Sequence, residues 1–158
     1  MEKSAVKKPV SKTKEAKEVA VSSHVGSFAG EKYIEMIGRR KTAVARVRVY
    51  PDNKTKDIVV NGKTLNGYFS LAKSRQAVQA PMVAVDKVFS FSALVKGGGP
   101  MAQAEAIRLG LSRILVELNS EWRGRLKGLM FLRRDPRMVE RKHYGLRKAR
   151  RAQQWRKR

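Results

Sequence analysis

Phe89 to Leu118 reads FSFSALVKGGGPMAQAEAIRLGLSRILVEL, and this stretch decides the fold. Phe89, Phe91, Ala93 and Val95 alternate with Ser90, Ser92 and Leu94, a period of two that predicts a strand. Gly97-Gly98-Gly99 ends it, and Pro100 suits the first turn of a helix, where its missing N–H has no intrahelical partner to lose. Ile107, Leu111, Ile114, Leu115 and Leu118 then fall on one helical stripe, with Arg108, Ser112 and Arg113 off it. Glu105 is read in the first turn, the end of a helix that favours negative charge.

Upstream, Ala43, Ala45, Val47 and Val49 alternate with Val44, Arg46, Arg48 and Tyr50, a strand with one apolar and one mostly basic face. Pro51-Asp52-Asn53 is a turn, and Asp57-Ile58-Val59-Val60 is a second strand closed by Asn61-Gly62. Leu65 to Gln79 suggests short helices, which Pro81 interrupts before Met82-Val83-Ala84-Val85. Downstream, Glu121 to Leu129 reads as a further helical turn before Phe131 closes the core. Strands and helices without strict alternation predict an α+β domain over residues 31–132, with a small mixed or antiparallel sheet and packed helices.

Two segments flank that domain. Residues 1–30 are rich in Lys, Ala, Val, Ser and Glu without a sustained period and read as a disordered arm. The arm has acids and no Arg, which disfavours an organelle address. Residues 133–158 read RRDPRMVERKHYGLRKARRAQQWRKR, with twelve Lys/Arg against Asp135 and Glu140. Apolar residues there are too few to offset the entropy of ordering, so this tail is expected to complete its structure on a polyanion. Asp135-Pro136 marks a turn, and Met138-Val139-Glu140-Arg141 is expected to form one helical turn with Glu140 paired to a nearby Arg. Tyr144 and Trp155 stand among the cations as candidates for stacking on unpaired bases.

The charge is extreme. The 158 residues hold 36 Lys/Arg against 13 Asp/Glu, a net +23. Even residues 33–132 carry a surplus of +10. This is the electrostatic footprint of a nucleic-acid binder. There is no Cys, hence no disulfide framework or thiol site. No apolar run approaches the ~18 residues of a membrane span, and no signal-peptide pattern opens the chain. A soluble cytoplasmic protein is expected. The two histidines, His24 and His143, lie in the arm and the tail, so a histidine triad or zinc site has no scaffold. No carboxylate pair has a spacing that argues for acid/base work, and neither an enzyme nor a cofactor is expected.

Arg39-Arg40-Lys41, with Arg46 and Arg48, places five cations on or beside one sheet face, where arginine forks match phosphate oxygens. Gly97-Gly98-Gly99 lacks the Lys-Ser/Thr of a Walker loop and the Gly-x-Gly-x-x-Gly of dinucleotide folds. It reads either as a tight turn requiring positive φ or as a cradle for an RNA phosphate.

Three blocks carry a resemblance: GRRKTAVARV (Gly38 to Val47), KGGGPMAQAEAIRLGLSRIL (Lys96 to Leu115) and RDPRMVERKHYGLRKARRAQQWRKR (Arg134 to Arg158). From Tyr33 to Arg158 the chain resembles the bacterial-type small-subunit ribosomal protein nine family. The resemblance implies a left-handed βαβ crossover, like domain two of ribosomal protein S-five, plus an extended basic tail. It also implies a structural role in the head of the small subunit, on the 3′ major domain of 16S-type rRNA beside other head proteins. Arg39, Arg40, Lys41, Arg46, Arg48, Gly97, Gly98 and Gly99 would contact rRNA. So would Arg133, Arg134, Arg137, Arg141 and Lys142, and further along Arg147, Lys148, Arg150 and Arg151. Arg156, Lys157 and Arg158 would reach the anticodon stem-loop of the peptidyl-site tRNA. Two positions depart from the family: Arg156 stands where Ser is usual, and Ala102 where Gly is usual. The competing reading is a nucleoid protein that binds DNA without sequence preference.

Overall fold

The computed structural model describes residues 32–157 except Lys54, so expectations for residues 1–30 and for Arg158 lie outside the described residues. Strands β1 (Ile34–Arg40), β2 (Ala43–Tyr50), β3 (Ile58–Val60), β4 (Lys63–Thr64) and β5 (Ser90–Lys96) form one mixed sheet in the order β1-β2-β5-β3-β4. β2 pairs antiparallel with β1 and β5, while β3 runs parallel to β5. A βαβ unit therefore joins β3 to β5 through helices α1 (Leu65–Tyr68) and α2 (Ala72–Val85). The strand-turn-helix of the opening stretch is β5 followed by helix α3 (Pro100–Leu118). Ser120–Trp122 adds a 3₁₀ turn before α4 (Arg123–Gly128).

Alternation fixes which face is buried. Ala43, Ala45, Val47 and Val49 of β2, with Phe91, Ala93 and Val95 of β5, point into the core. There they meet Ile107, Leu111, Ile114 and Leu115 of α3, Val78 and Met82 of α2, and Leu126 of α4. α3 packs on β1 and β2 and α2 packs on α3. Among the described residues, the opposite face of the sheet is open around Ile37, Val44 and Leu94 and closed at its other end, where Tyr50 and Ser90 are buried. Helices on one side of the antiparallel β1-β2-β5 strands, with apolar residues inward, are the expected outcome of such patterning.

Several expectations are corrected. β1 was not foreseen in the sequence; its Ile34, Met36 and Gly38 face the helices, but the outward Ile37 obscures the alternation. Pro81 does not interrupt α2, which runs unbroken to Val85. The helix forgoes the one hydrogen bond a prolyl nitrogen cannot donate, and the buried ring is core packing in exchange. Glu105 lies beyond the first turn of α3, which holds no acid. Ser112 is buried, its hydroxyl donating to the Arg108 carbonyl four residues back at 2.7 Å. Tyr50 does lie on the face of Arg46 and Arg48, as its place in the alternation implies, but it is buried there against Tyr33 and Ser92 rather than open.

Candidate nucleic-acid interface

The bare face of the sheet is built by register. Arg46 of β2 lies between Ile37 of β1 and Leu94 of β5, and the next row is Arg39, Val44 and Lys96. Three exposed apolar side chains, Ile37, Val44 and Leu94, are thus interleaved with Arg39, Arg46 and Lys96. None of those three cations has an ion pair among the described residues. Arg48, one row further, is engaged: its Nε donates to Glu35 at 2.6 Å and its guanidinium lies 4.8 Å over the Tyr33 ring. The hydrogen bond with Glu35 raises its pKa further and fixes it as a cation.

Arg40 is the main correction to the cation cluster. It pairs with Ala43 in the β1–β2 register, and strand parity therefore turns it inward, away from Arg39. Its side chain is only 12% exposed, with Nε 2.6 Å from Glu105 of α3 and Nη2 3.0 Å from Asp135 of the tail. Nη1 donates to the carbonyls of Asp135 (3.2 Å) and Arg137 (2.6 Å). Lys41 occupies the β1–β2 turn with φ of 50°.

The glycine turn has the geometry read from its sequence. Gly97 and Gly98 adopt φ of 72° and 68°. A Cβ on Gly97 would also sit 2.6 Å from the Thr42 carbonyl oxygen. Glycine is required twice over, for conformation and for space. The turn is anchored by a chain of side-chain hydrogen bonds. Asn61 Nδ2 donates to the Tyr68 hydroxyl (3.3 Å), Tyr68 donates to Gln103 (2.9 Å), and Gln103 Nε2 donates to the Gly97 carbonyl (3.1 Å). Ala102, the departure from the family pattern, turns its methyl into the core.

From Arg134 to Lys157 there is no helix or strand, and the helical turn expected at Met138–Arg141 is not formed. A single short turn pays the nucleation cost of a helix without the length to recover it. Asp135 is held by Arg137, whose Nη2 lies 2.9 Å away, and by Arg40. Hydrogen bonds from the Arg137 side chain and backbone lower its carboxyl pKa to about 2, and raise that of Arg137. Glu140 finds its arginine ten residues on, Arg150 at 2.9 Å, with His143 also within 3.5 Å. These pairs are exposed and individually weak. Arg133, Arg134, Arg141, Lys142, Arg147, Lys148, Arg151, Arg156 and Lys157 have no ion pair among the described residues. The Tyr144 ring is fully exposed and that of Trp155 is 95% exposed, so neither folds back on the domain.

Sequence reasoning missed two contributors. Lys96 joins the open face because it shares strand parity with Leu94, a signal present in the β5 alternation. Arg108 joins the base of the tail because its guanidinium lies 5.1 Å over the Phe131 ring, a contact no linear pattern reveals. Among the described residues, no group of His, Asp or Glu is placed to hold a metal, and no helix is long and apolar enough to cross a membrane.

These features define a class: a small α+β domain that displays far more positive charge than it neutralises. A family model described as ribosomal protein S9/S16 matches residues 38–158. The small ribosomal subunit protein uS9 of Mycobacterium ulcerans (strain Agy99) is 48% identical over 146 residues, covering 89% of this chain and 95% of that protein. That of Mycobacterium leprae (strain TN) is 44% identical over 155 residues, covering 94% and 100%. That of Mycobacterium avium (strain 104) is 48% identical over 134 residues, covering 84% and 80%. The chain belongs to the ribosomal protein S9/S16 family, whose members are structural components of the ribosome rather than enzymes.

Proposed function

We propose that this chain is a structural constituent of the head of a bacterial-type small ribosomal subunit. In this reading it binds the 3′ major domain of 16S-type rRNA, lies beside other head proteins, and reaches the peptidyl-site tRNA with its last residues. The observation that carries it is the set of cations that, among the described residues, have no acidic partner, on one open sheet face and along a tail without regular structure from Arg134 to Lys157, in a member of this family.

Arg39 and Arg46 present planar forks suited to phosphate oxygens, and Ile37, Val44 and Leu94 offer apolar surface for sugar and base faces. Of the three turn glycines offered to an RNA backbone, Gly99 has nothing within 4 Å of where a side chain would start, whereas at Gly97 and Gly98 that space is taken by Thr42 and Ala43, so their part is to shape the turn. The tail orders as its arginines and lysines displace counterions from phosphates. Tyr144 and Trp155 stack on unpaired bases, and Arg156, Lys157 and Arg158 support the tRNA anticodon stem-loop. The passage from β3 to β5 takes the left-handed course of the family, against the usual right-handed preference.

The test is binding of the full chain to a transcribed 3′ major domain of 16S-type rRNA, against duplex DNA of equal length as competitor. Saturable binding that DNA displaces poorly supports the ribosomal reading. Equal competition by DNA would instead support nucleoid packaging. In cell extract, the protein should sediment with small subunits after DNase treatment.

A further inference from the structure

We propose that a cleft at the base of the tail is a binding site for a single phosphate of an RNA backbone, and that Arg40 is the residue that builds it. This rests on the rRNA-binding reading above and names where that binding is anchored. The cleft lies between the end of β1, the second and third turns of α3 and the start of the tail. Six arginines face two carboxylates across it, a surplus of four positive charges. Both carboxylates are already engaged, Glu105 by Arg40 at 2.6 Å and Asp135 by Arg40 at 3.0 Å and Arg137 at 2.9 Å. Arg39, Arg108, Arg133 and Arg134 have no ion pair among the described residues.

Such a surplus in one concavity is self-repelling until an anion enters. A carboxylate from a neighbouring protein would offset one charge of four. A nucleic-acid strand places one phosphate in the cleft, with two oxygens for arginine forks, and its neighbouring phosphates offset the remaining charge along the rim. The site is also preorganised. Arg40 of β1 holds the Asp135 and Arg137 carbonyls and the Asp135 carboxylate while pairing with Glu105 of α3, which fixes the start of the tail beside the cleft that Arg39, Arg108, Arg133 and Arg134 line. Arg108 is steadied by its ring contact with Phe131 at 5.1 Å. Stacking uses the face of a guanidinium and leaves its in-plane N–H donors free for phosphate oxygens.

The experiment measures binding of the full chain to the transcribed 3′ major domain across a salt series, for wild type, Arg108→Gln, Arg133→Gln and Arg40→Gln. Thermal melting identifies any variant that fails to fold, and Arg133→Gln, on the exposed tail, is the safeguard. Each of Arg108→Gln and Arg133→Gln should lower the slope of log affinity on log salt by about 1 and weaken binding about tenfold. Arg40→Gln should lower the slope by more than either, because releasing the tail root disperses the arginines it positions. Wild-type slopes in folded Arg108→Gln and Arg133→Gln would overturn the site while leaving rRNA binding intact. A wild type that does not bind the rRNA overturns both readings.

Discussion

Gly38 and Gly110 face each other where β1 crosses α3, and their backbones approach too closely for any side chain. A Cβ on Gly38 would lie 1.9 Å from the Ala106 carbonyl oxygen and 2.7 Å from the Gly110 nitrogen. A Cβ on Gly110 would meet Val47 at 2.9 Å and the Gly38 nitrogen at 3.2 Å. At Gly38 every obstacle is backbone, which cannot swing away as a side-chain tip does. Gly38→Ala should therefore destabilise the domain by at least the ~1–3 kcal/mol typical of overpacking. Gly124→Ala, in α4 with nothing within 4 Å of the new methyl, should be neutral or stabilise by up to about 1 kcal/mol. Urea unfolding of both variants decides it, and equal midpoints would refute the close-approach account.

The same crossing shows where sequence patterning succeeds and where it stops. β2, β5 and α3 were legible because burial on one side forces a period on them: two for Ala43 to Val49 and Phe91 to Val95, 3.6 for Ile107 to Leu115. β1 was not, because Ile37 faces outward and Gly38 supplies no side chain to mark the inner face. Without β1, Arg39 and Arg40 looked alike. Strand parity separates them, sending Arg39 to the open face and Arg40 to Glu105. The continuous α2 was hidden by Pro81, whose helix-breaking tendency is overridden by burial of its ring. The cationic tail was plain from composition, but its attachment depends on contacts spanning 95 and 97 residues, beyond any local pattern.

Burial separates two leucines that a composition count would treat alike. Leu111 is fully buried against the sheet, whereas Leu94 is more than half exposed on the bare face. Leu111→Ala should cost about 2–5 kcal/mol through lost transfer energy and a residual cavity. Leu94→Ala should stay within about 0.5 kcal/mol of wild type. Denaturant titration distinguishes them; a comparable loss at Leu94 would mean that the open face is covered within the chain.

Acid should release the tail root only well below the ordinary carboxylate range. Asp135 has a carboxyl pKa of about 2 in the folded protein, against an ordinary 3.8, chiefly through hydrogen bonds from Arg137. Because the folded value is depressed, its contribution is fully present above the ordinary carboxylate range. It is lost as pH falls from about 4 toward 2. NMR titration of the Asp135 side chain should give a midpoint near 2, and Arg40→Gln should move it upward. A midpoint at the ordinary value would show that the contacts with Arg137 and Arg40 do not persist in solution.

Removal of Arg156, Lys157 and Arg158 should separate assembly from tRNA support. These residues lie more than fifteen positions beyond the Arg40–Asp135 contact, and Arg156 and Lys157 are exposed. Docking of the domain and the tail root on rRNA should therefore proceed without them. What disappears is a local concentration of three positive charges, whose attraction for a phosphate backbone weakens as salt rises. The truncated protein should enter small subunits normally, and those subunits should bind peptidyl-site tRNA more weakly, with a smaller salt slope. Trp155→Ala should add a loss that salt does not modulate, because stacking on a base depends little on ionic screening. Unchanged tRNA affinity and slope in the truncated subunits would confine the tail to rRNA. The fully exposed Trp155 ring would then need another partner.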